Sequence, residues 1–184
     1  METEIKERAK LRGMFHWECW RPYKEDHGIV FARKQWEDDF HNIITNEGLD
    51  HILNVILHGS TQITTWYCGL VETNTTPAAA MTYATPSFTE STAYDEATRP
   101  AYNEAASSSQ SITNSANKAV FTISGTKTMY GAALFGGGSA ATTKGDAAGG
   151  GTLLCYALAS PSRSVVDNDV INLTYQLSAA DDGV

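Results

Sequence analysis

Three kinds of residue in this chain carry side chains that could do chemistry: histidines on one helical stretch, clustered carboxylates, and cysteines. His51 and His58 lie seven positions apart. On a helix that is ~10 Å of axial rise. A tetrahedral metal holds its ligands at about 2 Å, so the two cannot share one and read as solvated histidines. Glu37-Asp38-Asp39 and Asp167-Asn168-Asp169 gather oxygens of the kind calcium accepts. Neither has the spaced ligands of a dedicated loop, so turns are expected there. Cys19, Cys68 and Cys155 are odd in number, far apart and form no C-x-x-C pair. Neither a disulfide framework nor a zinc site is indicated. Buried thiols in a reducing compartment are the expectation.

The remaining motifs are weaker still. GGGSAATTKGD is glycine-rich near a lysine, but it does not give G-x-x-x-x-G-K-[ST], and no helix follows to hold a phosphate. Ser139 is not in a G-x-S-x-G elbow. No histidine stands near a plausible Ser or Cys nucleophile with a third group to orient it. Paired carboxylates for glycoside hydrolysis cannot be found by spacing alone. Asn74-Thr75-Thr76 and Asn172-Leu173-Thr174 match a glycosylation sequon, without a secretory signal to give it meaning. The expectation is a protein that is not an enzyme and needs no cofactor, metal or small-molecule substrate. Arg99, in TRPAY between Tyr94 and Tyr102, could stack between aromatic rings, either to anchor its own loop or to meet a partner.

Composition narrows the classes further. The chain has 184 residues and a formal net charge of −8. That argues against a general nucleic-acid binder, which needs a basic face. No run of eighteen apolar residues exists to span a membrane, and the charged METEIKERAKLRG start lacks the apolar segment of a signal peptide. Residues 1–27 hold six Lys/Arg and six Asp/Glu, so the whole deficit lies in 28–184. An acidic body with a mixed-charge docking arm follows. In that arm Phe15, Trp17, Trp20 and Tyr23 fall within nine residues, interrupted by Pro22. Such rings need a surface to cover, their own sandwich or a neighbour's.

The element that organises the rest is NEGLDHILNVILHGSTQITTWYCGLV, residues 46–71. Asn46 is a helix cap. Leu49, Ile52, Leu53, Ile56 and Leu57 share one helical face, with Gly59 as the stop. ITTWYCGLV is a strand. A short helix feeding a strand suggests a plug over the open end of a sandwich. GIVFARKQW (28–36) and FHNIIT (40–45) read as strands around an EDD turn. Residues 72–118, rich in Ser, Thr, Ala and Pro, read as a long loop pinned by Tyr83, Phe88, Tyr94 and Tyr102. AVFTISGT, TMYGAALFG, GTLLCYALAS and DVINLTYQLSAA are strands, with 136–151 a flexible glycine-rich hairpin tip. The fold expected is mainly β: one antiparallel, jelly-roll-like β-sandwich with one short amphipathic helix and an extended N-terminal arm.

The order of these parts resembles a family of small tailed-bacteriophage virion proteins. The resemblance rests on NIITNEGLDHIL (Asn42 to Leu53), WYCGL (Trp66 to Leu70), the segment Tyr94 to Arg99, NKAVF (Asn117 to Phe121) and GGTLL (Gly150 to Leu154). It covers about residues 28–180, and its force lies in the ordered set rather than in any one motif. It implies a head decoration, or cement, protein that stabilises a capsid from outside. The alternative it implies is a tail-fibre or baseplate accessory or receptor-binding module. The expected partners are the major capsid protein lattice and further copies of the chain, as a homodimer or homotrimer. No nucleic-acid or membrane partner is expected. The location expected is the exterior of the virion, after synthesis in the bacterial host cytoplasm. Phe15, Trp17, Trp20 and Tyr23 of the arm, with Arg99 and Tyr102 of the loop, are the expected partner-binding residues.

Overall fold

A computed structural model describes residues 10–25, 28 and 30–180 of the chain. Its elements are β1 (Lys10–Lys24), β2 (Val30–His41), β3 (Ile43–Ile44), α1 (Asn46–Leu57), β4 (Trp66–Val71), β5 (Ala101–Tyr102), β6 (Ser111–Thr113), β7 (Ala119–Thr122), β8 (Lys127–Gly136), β9 (Thr152–Val165) and β10 (Val170–Ala180). Two antiparallel sheets pack face to face as the expected sandwich. One runs β2-β1-β10-β6, with β7 also on β10; the other runs β3-β9-β8-β4-β5.

The expectation of an N-terminal arm is corrected by β1. Residues 10–24 are an inner strand, paired with β2 on one side and β10 on the other. Phe15, Trp17 and Cys19 alternate with His16 and Glu18, the period of a strand with one buried face. Phe15 stacks with Phe40 and Tyr175 at centroid distances of 5.7 and 4.6 Å. Trp17 meets Phe40 and Trp36 at 4.7 and 5.1 Å. The ring density of this segment thus covers the protein's own sandwich. The proposed boundary at residue 27 falls inside the β1–β2 hairpin, and residues 1–9 lie outside the described residues.

The expected EDD turn is also absent. β2 runs through it, with Glu37, Asp38 and Asp39 paired against Glu18, Trp17 and His16. Asp38 points inward with Trp36 and Phe40, and is tolerated there because Arg163 of β9 grips it with two hydrogen bonds of 2.5 and 2.7 Å. The bridge closes one edge of the sandwich.

Sheet β3-β9-β8-β4-β5 is covered on both sides. Leu70, Leu134 and Cys155 face the other sheet, while Val71, Phe135 and Tyr156 face outward under Tyr83 and Phe88. Every residue of GAALFG at the end of β8 is buried, the near-continuous apolar run of a strand with two dry faces. The 72–118 loop is therefore a third layer. All four of its expected pins, Tyr83, Phe88, Tyr94 and Tyr102, are buried.

Helix α1 forms where expected but docks differently. Thr45, not Asn46, is its N-cap: its hydroxyl accepts from the Gly48 amide at 3.0 Å and donates to the Leu153 carbonyl. Gly59 takes the left-handed conformation, φ 71°, just past the end. Gly48 is the point of contact with β9. A Cβ there would meet the Leu154 carbonyl oxygen at 2.5 Å. Of the expected apolar face, only Ile52 packs on the core.

Candidate partner-binding surfaces

The six residues expected to bind a partner separate into two groups. Phe15, Trp17, Arg99 and Tyr102 are buried in the chain's own interior, so they are not available to a partner. Tyr102 donates its hydroxyl to the Tyr175 carbonyl at 3.3 Å and packs edge-on against the Tyr175 ring. Trp20 and Tyr23 remain half-exposed, and they share one structure, the far end of the β1–β2 hairpin.

Arg99 is a hub of the fold. Its five N–H donors all find acceptors. Nε and Nη2 bind Glu90 at 2.8 and 2.6 Å. Nη1 reaches the Tyr83 hydroxyl at 3.1 Å and the Ala141 carbonyl at 2.9 Å, and Nη2 also reaches the Asp146 carbonyl at 2.8 Å. The guanidinium lies 4.1 Å from the centroid of Phe135 and 5.5 Å from that of Tyr83. The expected stacking is realised, but on these rings rather than on Tyr94 and Tyr102. Burial alone would push the arginine pKa down; the Glu90 carboxylate outweighs it and holds it up. The same cluster ties down the glycine-rich segment 136–151, expected to be flexible. The Tyr83 hydroxyl donates to Asp146 at 2.8 Å, and Lys144 donates to the Tyr94 carbonyl at 2.8 Å.

The exposed hairpin end is built from cations and rings. β10 accompanies β1 only as far as Trp20, whereas β1 and β2 stay paired to Lys24 and Val30. The last rungs are a two-stranded ribbon without a third strand. At its base Arg21 holds the fully buried Asp169 with hydrogen bonds of 2.7 and 2.8 Å. Burial opposes the charge on Asp169; Arg21 and the Val166 amide overcome it and keep the carboxyl below its usual range. Tyr23 stacks on Phe31 at 5.7 Å, Arg33 lies over Tyr23 at 5.2 Å, and Lys34 over Trp20 at 5.1 Å. Phe31 is 41 % exposed and Val30 59 %. Four cations lie along this ribbon: Arg21 is neutralised by Asp169 and Lys34 by Glu18 and Glu37, which leaves Lys24 and Arg33 beside the rings, with Glu25 following Lys24. Stacked rings flanked by cations are the usual composition of an interface anchor.

On the outer face of the same sheet, His16, Glu18 and Glu37 bring ligand atoms within 4.8 Å of one another. Lysine ammoniums already serve these carboxylates: Lys118 and Lys34 reach Glu18 at 2.6 and 3.3 Å, and Lys34 reaches Glu37 at 2.6 Å. Burial pushes the Glu18 carboxyl up, but hydrogen bonds from Lys118, Lys34 and Asn172 bring it down to about 2. The group is a cross-strand salt-bridge ladder. The three cysteines are buried and unpaired. Burial pushes the Cys19 and Cys155 thiols up to about 12, and Cys68 also rises. At neutral pH they are not thiolates, the form that attacks or ligates. His51 packs edge-on to Trp66 at 5.6 Å, and His58 is exposed beyond the helix end.

Sequence reasoning missed Val30, Phe31 and Arg33, because a break was placed between Tyr23 and residue 28. The pairing of Tyr23 with Phe31 across a glycine-bearing turn was the signal that could have found them. It also read Leu49, Leu53, Ile56 and Leu57 as the apolar face of a helix plugging the sandwich's open end; the structure leaves Leu53, Ile56 and Leu57 mostly in solvent. No family model matches the chain, and no curated protein matches it.

Proposed function

We propose that this chain is a structural virion protein of a tailed bacteriophage, one that decorates the outer surface of the capsid lattice and stabilises it. The observation that carries this reading is the exposed, ring-bearing ribbon of β1 and β2. A rigid sandwich holds it at the base through Arg21 and Asp169, and its exposed Tyr23–Phe31 pair projects past the last rung with β10. Such a ribbon can reach onto a neighbouring subunit without any change in the body. Polar chemistry inside the body is directed inward, at Arg99, Glu90 and Asp169. On this reading the protein works by holding other subunits. Each contact is modest, and many copies on a lattice act together. The acidic remainder keeps decorated particles soluble and repels nucleic acid.

The anchors on this reading are Trp20 and Tyr23 with Phe31, in place of Phe15, Trp17, Arg99 and Tyr102. A map of the assembled particle by electron microscopy tests it. Density for the sandwich on the outer head lattice, at sites where capsid subunits meet, is expected. Density confined to the tail would support a fibre or baseplate role, and absence from the particle would end the virion reading.

A further inference from the structure

Helix α1 and the two sheets surround a cavity of about 260 Å³ that opens to solvent at one end of the sandwich. Its position follows from how the helix is held. Within α1 only Gly48, in the first turn, is buried. Beyond Ile52 the helix no longer covers the sheets, and the cavity lies under that length, with Ile52 and Val55 as one wall. Leu134 and Leu154, both buried in the main core, are its floor, and Ile112 and Leu177 line it from the other sheet. The Thr45 cap and the close approach of Gly48 to Leu154 fix the helix, so the cavity is pre-formed.

The interior offers water little. Tyr102 and Tyr175 also line the cavity, but the Tyr102 hydroxyl donates to the Tyr175 carbonyl at 3.3 Å, and the Tyr175 hydroxyl accepts from the Asn42 side-chain amide at 3.4 Å. Among the described residues, none of the buried side-chain polar atoms that lack a partner belongs to the lining. A buried water needs two to four polar partners, so this space favours an apolar occupant. A dry cavity of about 150 Å³ takes up benzene, so one of about 260 Å³ has room for roughly ten heavy atoms. The mouth is different. Gln62, Thr64 and Glu104 are exposed there and His51 is half-buried. Glu104 is the one acidic residue of the lining, and its carboxylate has no ion pair or hydrogen bond among the described residues.

We propose that this cavity binds a small amphiphile, with an apolar body of about ten heavy atoms inside and a cationic head at the mouth beside Glu104. Volume and lining set the body. Glu104 sets the head, because a carboxylate there would meet a like charge, on a chain of net charge −8. The inference goes beyond the virion reading and takes nothing from it. It adds a ligand where the sequence suggested none. Leu53 and Leu57, exposed on α1 and outside the lining, take no part.

The test uses the free, full-length protein and three probes that share one body and differ in the head: decylammonium, decanol and decanoate. Calorimetry is expected to show one site for decylammonium, with a Kd on the order of 10–100 µM. Decanol should bind more weakly, and decanoate about fivefold more weakly than the ammonium, the scale of one exposed charge contact. Glu104→Gln, a change at an exposed position, should keep the melting temperature and cut the ammonium-to-carboxylate ratio at least about twofold. Methyl NMR locates the probe. Contacts from its chain to the Leu134 and Leu154 methyls are expected, and none to Leu53 or Leu57. Failure of all three probes to bind saturably would overturn the proposal. So would contacts to Leu53 and Leu57 alone, decanoate binding as tightly as decylammonium, or a ratio that Glu104→Gln leaves unchanged. Failure of the virion reading would leave these solution measurements untouched.

Discussion

Arg99 and Glu90 meet in a two-pronged ion pair, 2.8 and 2.6 Å, beneath the third layer of the fold. Neither side chain has water to fall back on: the arginine is fully buried and the glutamate nearly so. The pair joins the 72–118 loop to the glycine-rich segment, through the Ala141 and Asp146 carbonyls.

Breaking that pair strands a buried charge, which typically costs about 3–5 kcal/mol. Arg99→Lys keeps the charge but loses the planar fork, so it cannot fill five acceptor positions. We expect it to lower the denaturant midpoint strongly. Limited proteolysis is expected to cut first within residues 136–151, which the guanidinium holds. A variant with unchanged midpoint and unchanged cleavage would show that the hub does not organise this layer.

Trp17 and Trp20 sit three residues apart and should behave oppositely. Trp17 is fully buried against Phe40 and Trp36, so Trp17→Ala should cost about 3–5 kcal/mol of stability. Trp20 is half-exposed under Lys34, and Trp20→Ala should cost about 1 kcal/mol or less. Urea unfolding of the two variants checks this. Equal losses would mean that the ribbon is part of the core.

The Trp17/Trp20 contrast also shows what the sequence could and could not reveal. Alternation in DVINLTYQLSAA was clear, and Ile171, Leu173 and Tyr175 are buried as its period requires. The same alternation exists in FHWEC, but Pro22 and the crowd of rings masked it. Period two says which side chains share a face; it does not say whose surface they cover. The helix exposes the same limit from the other side. Its stripe was legible as apolar, yet Gly48 and Thr45, not the leucines, fix how it lies on β9. The Arg99 hub depends on partners 9, 16, 42 and 47 residues away, beyond any local pattern.

Glu18 should make the fold acid-sensitive. Its carboxyl titrates at about 2 in the folded protein, because the lysine bonds outweigh burial. In the unfolded chain the value is about 4.3. The folded value is the lower one, so its stabilisation is complete above the unfolded pKa and is lost as pH falls from about 5 toward 2. Lys34 and Lys118 are about a third exposed, which screens the pair and leaves roughly 1–2 kcal/mol. Glu18→Gln should therefore unfold more easily than wild type at pH 7 and nearly match it at pH 2. A constant difference across that window would remove the ionised pair as the cause.

The central claim is that the β1–β2 ribbon seats this protein on capsids, and a pull-down on purified undecorated capsids tests it most directly. Tyr23→Ala/Phe31→Ala/Arg33→Glu should remain folded, since all three side chains lie past the last rung with β10. Its binding should drop at least about a hundredfold, the loss of two aromatic anchors and a reversed charge. Binding equal to wild type, with the folded state verified, would contradict the account.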